Sequence, residues 1–122
     1  MGDNRIGDYK DLIVWKRAME AAVGAYGAAR ALPKEETFAL ADQIRRSAIS
    51  IPSNIAEGYG RNSTKEYGRF LSVARGSCYE LETQMLLCVD LRYLTAEKCA
   101  PVLNLLRGVS KMLVAIMAKL DS

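Results

Sequence analysis

The sequence contains no histidine, the side chain that proteins use most often as a general base and as a metal ligand. Its three cysteines, Cys78, Cys88 and Cys99, are too far apart to form a Cys-x-x-Cys pair. This spacing argues against a zinc knuckle and against a thioredoxin-like redox site. We therefore predict no catalytic residue, no metal and no cofactor, and we expect that the protein is not an enzyme.

The sequence also lacks an apolar segment of the kind found in secretory signals and membrane spans. Its first residues, Met1-Gly2-Asp3-Asn4-Arg5, are polar, and the number of cysteines is odd. Disulfide-bonded secreted proteins usually contain paired cysteines. These features predict a reduced, cytoplasmic protein with no membrane partner.

Length and composition are those of one folded domain, which we place at residues 1–122. Hydrophobic residues make up 50% of the 122 residues, and charged residues make up 25%. Seventeen lysines and arginines against fourteen acidic residues give a net charge of +3. A mildly basic chain permits a nucleic-acid partner without requiring one.

Prolines are few, and apolar residues recur at steps of three and four, which is the period of an α-helix. The pattern predicts helices over about 11–31, 36–59 and 64–92, the third capped by Ser63. Thr95 is a candidate N-cap for a fourth helix, with Glu97 in the first turn, and this helix is expected to begin properly near Ala100, with Pro101 in its first turn. Four amphipathic helices joined by short turns predict an all-α, antiparallel up-down four-helix bundle.

Each predicted helix has an apolar stripe that we assign to the core, together with the tryptophan, the methionines and the cysteines. The first helix has a second stripe, of alanines, which lets another helix or subunit approach closely. Its large stripe is Leu12, Trp15, Met19, Val23 and Tyr26, and its small stripe is Ala18, Ala21, Ala25 and Ala28. The other core stripes are Ala41, Ile44, Ala48, Ile51 and Ile55; Tyr67, Leu71, Ala74, Cys78, Leu81, Met85 and Cys88; and Val102, Leu105, Leu106, Val109, Leu113, Ile116 and Leu120.

The second helix carries a polar stripe opposite its apolar face. This stripe consists of Asp42, Arg46, Ser50, Asn54, Glu57 and Arg61. Serine and asparagine are weak helix formers, so the stripe either contacts another helix, a subunit or a ligand, or it is a solvated face with i,i+4 ion pairs. Pro52 lies within the same helix and favours a kink over an interruption.

Basic residues are concentrated between residues 43 and 75. They are Arg45, Arg46, Arg61, Lys65, Arg69 and Arg75. The same segment contains only two acidic residues, Glu57 and Glu66, so its net charge is +4. A basic patch is typical of phosphate binding, and we predict that these six side chains contact nucleic acid. Tyr59 and Tyr79 are the only aromatic residues expected near the patch, so low sequence specificity is predicted.

Glu80 and Glu82 are two residues apart on the third helix and therefore point in nearly opposite directions. They cannot form one carboxylate site, and we expect each to pair with an arginine of a neighbouring helix. Arg45 and Arg46 are the nearest candidates. If such pairs form within or between subunits, the arginines lose their free charge and an interaction or scaffold role is favoured.

Two long segments resemble a known bacterial family. They are QIRRSAISIPSNIAEG at 43–58, which contains Ser50, Pro52, Asn54, Glu57 and Gly58, and GSCYELETQ at 76–84. Residues 12–18 are similar to the family's opening L-x-V-W-x-x-A, and residues 32–36 are similar to its first turn. The family consists of four-helix-bundle proteins encoded in intervening sequences of bacterial large-subunit ribosomal RNA genes.

This resemblance implies a homopentamer in which five bundles lie side by side as a ring with a central opening. A distant relative is the accessory protein of diversity-generating retroelements, a basic pentamer that binds nucleic acid and a reverse transcriptase. No catalytic residues come with the resemblance. It supports the prediction of a non-enzymatic, oligomeric bundle that binds RNA or other nucleic acid. The alternative is a protein-interaction scaffold, such as a reverse-transcriptase accessory protein.

Overall fold

Four α-helices form the molecule, as predicted. The computed structural model describes residues 7–121, and its helices are α1 (Ile13–Arg30), α2 (Leu40–Tyr59), α3 (Thr64–Asp90) and α4 (Ala96–Asp121). No strand occurs within 7–121. Both α1 and α3 pack against α2 and α4, which gives an up-down bundle. The polar segment Met1–Arg5 lies outside the described residues.

Two helices begin later than the sequence predicts, because short 3₁₀ turns precede them. One turn spans Tyr9–Asp11 before α1, and the other spans Lys34–Glu36 before α2. The Glu36 carboxylate accepts a hydrogen bond of 3.2 Å from the backbone amide of Leu40, at the start of α2. Glu36 therefore caps the helix rather than belonging to it.

The starts of α3 and α4 are capped by hydroxyl groups, as expected at helix N-termini. Ser63 Oγ accepts from the Glu66 amide at 3.1 Å, and Thr95 Oγ1 accepts from the Lys98 amide at 3.1 Å. The predicted start near Ala100 is wrong, because the Thr95 cap begins α4 at Ala96. Pro101 consequently lies in the second turn, on an exposed face.

The core stripes predicted for α2 and α3 are confirmed, since every residue of both is buried. The stripe of α4 is confirmed at its centre, whereas its outer members are half-buried. Ser47, Ser77, Leu94 and Leu103 are buried in addition, and Cys99 is buried as predicted for the cysteines. Helical periodicity therefore assigns the core correctly in the three helices with one dominant apolar face.

The prediction for α1 is wrong. Its alanine stripe faces the core, and Ala18, Ala21 and Ala25 are fully buried. In its large stripe, 69% of Val23 and 39% of Met19 are exposed to solvent, whereas Leu12 and Trp15 are half-buried and pack against the edge of the core. Alanines let α1 approach its neighbours closely, whereas the large side chains would hold it away.

Ser50 of the polar stripe contacts another helix, while the charged members of the stripe form exposed i,i+4 ion pairs, so both possibilities that the sequence leaves open occur in part. Ser50 Oγ lies 2.7 Å from Ser77 Oγ of α3. Asn54 Nδ2 donates to the carbonyl and the hydroxyl oxygen of Ser50, at 2.8 and 3.0 Å. The Ser50–Ser77 hydrogen bond joins α2 to α3, and Asn54 holds Ser50 in place from within α2. Helix α2 continues through Pro52 without interruption.

Helix α4 is long and apolar enough to cross a membrane by length and composition, with a mean hydropathy of 1.4 over its most apolar window. Core helices of folded bundles meet the same criterion. Here the stripe that contains Val102, Leu106, Val109 and Leu113 is buried against the other helices.

Gly58 lies at the closest approach of α2 and α3. A Cβ atom at this position would be 2.7 Å from Phe70 Cβ and 3.2 Å from the carbonyl oxygen of Tyr67. The Tyr67 carbonyl oxygen belongs to the α3 backbone, and Phe70 Cβ is bonded directly to it. Neither atom can therefore move away by rotation of a side chain. Gly58 is therefore required by the packing of the two helices.

We predict that Gly58→Ala lowers the free energy of unfolding by about 1–3 kcal/mol, because the added methyl group separates α2 from α3. Gly68→Ala in α3 is the matched control, since a Cβ there meets nothing within 4 Å. We expect this control to be neutral or stabilising by up to about 1 kcal/mol. Urea denaturation followed by circular dichroism measures both, and equal stability of the two variants would contradict the packing constraint.

Candidate functional site

A wide apolar groove runs between α1 and α2. Its volume is about 560 Å³. We call it the α1–α2 groove; it is lined by Tyr9, Trp15, Met19, Ala22, Val23, Tyr26, Arg30, Ile49, Pro52, Ser53 and Ala56. The outward stripe of α1 forms one wall, and α2 forms the other.

The lining of the groove is aromatic and aliphatic, with polar groups only at Arg30, Ser53 and the tyrosine hydroxyls. Tyr9 packs edge-on against Trp15, with ring centroids 5.3 Å apart, so the first 3₁₀ turn supports one wall. Ile49 is 48% exposed on the opposite wall. Contiguous exposed apolar side chains of this kind are typical of protein contact surfaces.

The six predicted nucleic-acid-binding residues do not form one patch. Arg45 and Arg46 lie near the start of α2, whereas Arg61 follows its end. At 1.5 Å per residue, the fifteen residues from Arg46 to Arg61 span about 22 Å. Arg75 lies farther along α3 and lines a groove with residues of α4.

Two of the six residues, Arg61 and Arg69, come together at the α2–α3 corner, with Lys65 one turn before Arg69. We define this corner as Arg61, Lys65, Arg69 and Phe70; Lys65 also lines a groove with residues at the end of α4. The guanidinium carbons of Arg61 and Arg69 lie 4.8 and 5.5 Å from the centre of the Phe70 ring. Within residues 7–121, Lys65 makes no ion pair. Phe70 is the aromatic residue that sequence reasoning missed, because only the helix contact places it between the arginines.

Carboxylates on the same helices pair with most of these cations. Arg61 lies 2.8 Å from Glu57, Arg69 lies 3.2 Å from Glu66, and Arg46 lies 3.0 Å from Asp42. Arg45 donates to the Thr37 carbonyl at 2.9 Å and lies 3.9 Å from the Asp42 carboxylate. Exposed pairs of this kind are weak and leave the cations accessible.

Asp42 lies immediately before the segment from which the predicted local charge of +4 was taken. With it, the net charge of residues 42–75 is +3, the same as that of the whole chain. The positive charge of the α2–α3 region is therefore lower than the count over residues 43–75 alone suggests.

Glu82 pairs with an arginine of a neighbouring helix, as predicted, but Arg45 and Arg46 are the wrong candidates. Glu82 lies 3.7 Å from Arg107 of α4, because this side of α3 faces α4. Arg45 and Arg46 instead lie near Asp42, on α2 itself. Within residues 7–121, Glu80 is exposed and makes no ion pair.

The three cysteines are buried, and burial raises the pKa of Cys78 and Cys88 to about 11 and also raises that of Cys99. Their thiols are therefore protonated at neutral pH, and thiolate chemistry is not supported. No group of three or more Cys, Asp or Glu side chains between residues 7 and 121 is placed to hold a metal ion.

Comparison with solved structures supports the fold. A crystal structure of a protein with unknown function from the S23 ribosomal protein family of Bacteroides thetaiotaomicron matches with a TM-score of 0.80 and 27% sequence identity. The match covers 86% of this chain and 98% of that chain. No curated protein matches significantly.

The family model described as "23S rRNA-intervening sequence protein" matches residues 10–115, which include all of α1, α2 and α3 and most of α4. Both long segments that carry the resemblance, 43–58 and 76–84, lie within this match. The chain is therefore a member of the 23S rRNA-intervening sequence protein family.

Proposed function

We propose that this protein is a non-enzymatic scaffold that assembles with copies of itself through the α1–α2 groove. The observation that carries the proposal is the orientation of α1, which turns Met19 and Val23 away from its own core and leaves Trp15 and Tyr26 only half-buried. Trp15, Met19, Val23 and Tyr26 line the groove instead. Covering such a surface removes apolar area from water and stabilises association.

A ring of identical subunits is the form of assembly that we propose, and a pentamer is the form that the family resemblance implies. A closed ring repeats one head-to-tail contact, so the groove of each subunit would receive a different, complementary surface of the next subunit. Five copies would also concentrate five net charges of +3 in one particle, which strengthens attraction to phosphate.

We predict that Val23→Glu/Ile49→Glu weakens self-association by about 100-fold or more, because it places charges in the apolar contact. Both side chains are exposed in the single bundle, so the helices should form normally. Light scattering after size-exclusion chromatography gives the mass. Trp15, the one tryptophan, reports burial of the groove through its emission during dilution.

Leu87→Glu is the matched control, since Leu87 is 44% exposed on α3 and does not line the groove. It should keep the mass of the native assembly. A native mass for the double variant, or a monomeric native protein at high concentration, would contradict assembly through this groove.

RNA binding at the α2–α3 corner is the second candidate function. The observation that favours it is the convergence of Arg61, Arg69 and Phe70, with Lys65 one turn away from Arg69. The arginines supply phosphate contacts, and an aromatic ring between cations can stack on an unpaired base. Backbone contacts would dominate, so sequence specificity would be low.

We predict that Arg61→Gln/Lys65→Gln/Arg69→Gln weakens binding to a fluorescent single-stranded RNA and lowers the slope of log affinity against log salt by about 2. The expected change follows from a slope of about 0.7 per phosphate contact on single strands. Fluorescence anisotropy across a salt series measures both quantities.

The control Lys10→Gln/Lys16→Gln/Arg17→Gln removes the same charge from exposed positions on and before α1. It should change the slope little. Equal effects of the two triple variants would show that only net charge matters, and absence of binding at low salt would contradict the candidate.

A further inference from the structure

The groove between α3 and α4 holds cations that have no counter-charge. One segment, of about 250 Å³, is lined by Arg75, Tyr79, Ser110, Lys111 and Val114. The adjoining segment, of about 220 Å³, adds Glu82 and Arg107, which lie 3.7 Å apart. Within residues 7–121, neither Arg75 nor Lys111 makes an ion pair, so the groove keeps two positive charges.

Arg75 is the more constrained of the two cations. Its Nε atom is buried and has no hydrogen-bond acceptor within the described part of the chain. Its guanidinium carbon lies 5.2 Å from the centre of the Tyr79 ring, and this contact fixes the plane of the group. A partly buried cation without an acceptor is unfavourable, so an anion in the groove would stabilise it.

We propose that Arg75 and Lys111 bind a phosphate group, either free or in a polynucleotide backbone. The guanidinium offers several donors in a fixed plane, and the ammonium offers a second charge on a flexible stem. Ser110, which lines the same groove, adds a hydroxyl group. Two cations and a hydroxyl match the several oxygens and the charge of up to two on a phosphate.

This site is independent of both surfaces described under the proposed function. The α1–α2 groove lies on the opposite side of the bundle, since α1 and α2 form one side and α3 and α4 form the other. The α2–α3 corner contains none of the residues that line the α3–α4 groove. Failure of either proposed function would therefore leave the phosphate site to be tested separately.

The test is a titration of the full chain, labelled with nitrogen-15, with inorganic phosphate at constant ionic strength. We expect the Arg75 Nε–H signal to shift with saturation, because the guanidinium gains an acceptor. Lys111→Gln should weaken this binding by at least about tenfold, since it removes one charge-assisted contact. Lys111 is exposed, so the substitution leaves the core intact.

Arg17→Gln is the matched control, because Arg17 lies on α1 and pairs with Glu20 at 2.6 Å. It should leave the phosphate affinity unchanged within about twofold, as a distant surface charge does at moderate salt. Competition between phosphate and a short RNA at the Arg75 signal would assign the site to a polynucleotide backbone. Phosphate binding without an RNA effect would assign it to free phosphate.

Both of these outcomes support the site. A signal of Arg75 that does not respond to phosphate would overturn the proposal. Equal weakening in Lys111→Gln and Arg17→Gln would also overturn it, because the attraction would then depend on net charge alone.

Discussion

The close packing of α1 through alanine is the constraint on which the rest of the molecule depends. Ala18, Ala21 and Ala25 bring the α1 backbone against its neighbours without exposing any of the three methyl groups. Interiors are packed to the density of organic crystals, so the narrow space at the centre of the bundle admits only small side chains from this helix. The larger bulk of the core comes from isoleucines and leucines of the other helices.

One consequence is that the large residues of α1 remain at the surface, where they line the α1–α2 groove. A second small residue, Gly58, brings α2 equally close to α3, and the hydrogen bonds of Ser50 with Ser77 and Asn54 join the two helices beside it. This closure holds Arg61 and Arg69 against Phe70 at the α2–α3 corner. Residues of the two motif segments, 43–58 and 76–84, thus hold the helices of the bundle together. The surfaces that remain exposed, the α1–α2 groove and the α2–α3 corner, are the candidate sites.

The fold could be predicted almost completely from the sequence, because three helices have a single dominant apolar face. The orientation of α1 could not, since both of its stripes are apolar and local periodicity does not show which one fits the space between α2 and α4.

The candidate site was predicted in part. Arg61 and Arg69 come together as expected, with Lys65 one turn away along α3, whereas Arg45, Arg46 and Arg75 lie apart. Contacts between helices also decide the positions of Phe70 and Lys111, which lie outside any short motif.

The most direct test of this account compares the unfolding free energies of Ala21→Leu and Val23→Ala, measured by urea denaturation at concentrations where the chain is monomeric. Leucine at the buried position should overpack the core and lower the stability by about 1–3 kcal/mol. Removing two methyl groups from the exposed valine should change it by less than about 0.5 kcal/mol. A tolerated Ala21→Leu together with a costly Val23→Ala would mean that α1 packs with its large stripe inward, and the α1–α2 groove would not exist.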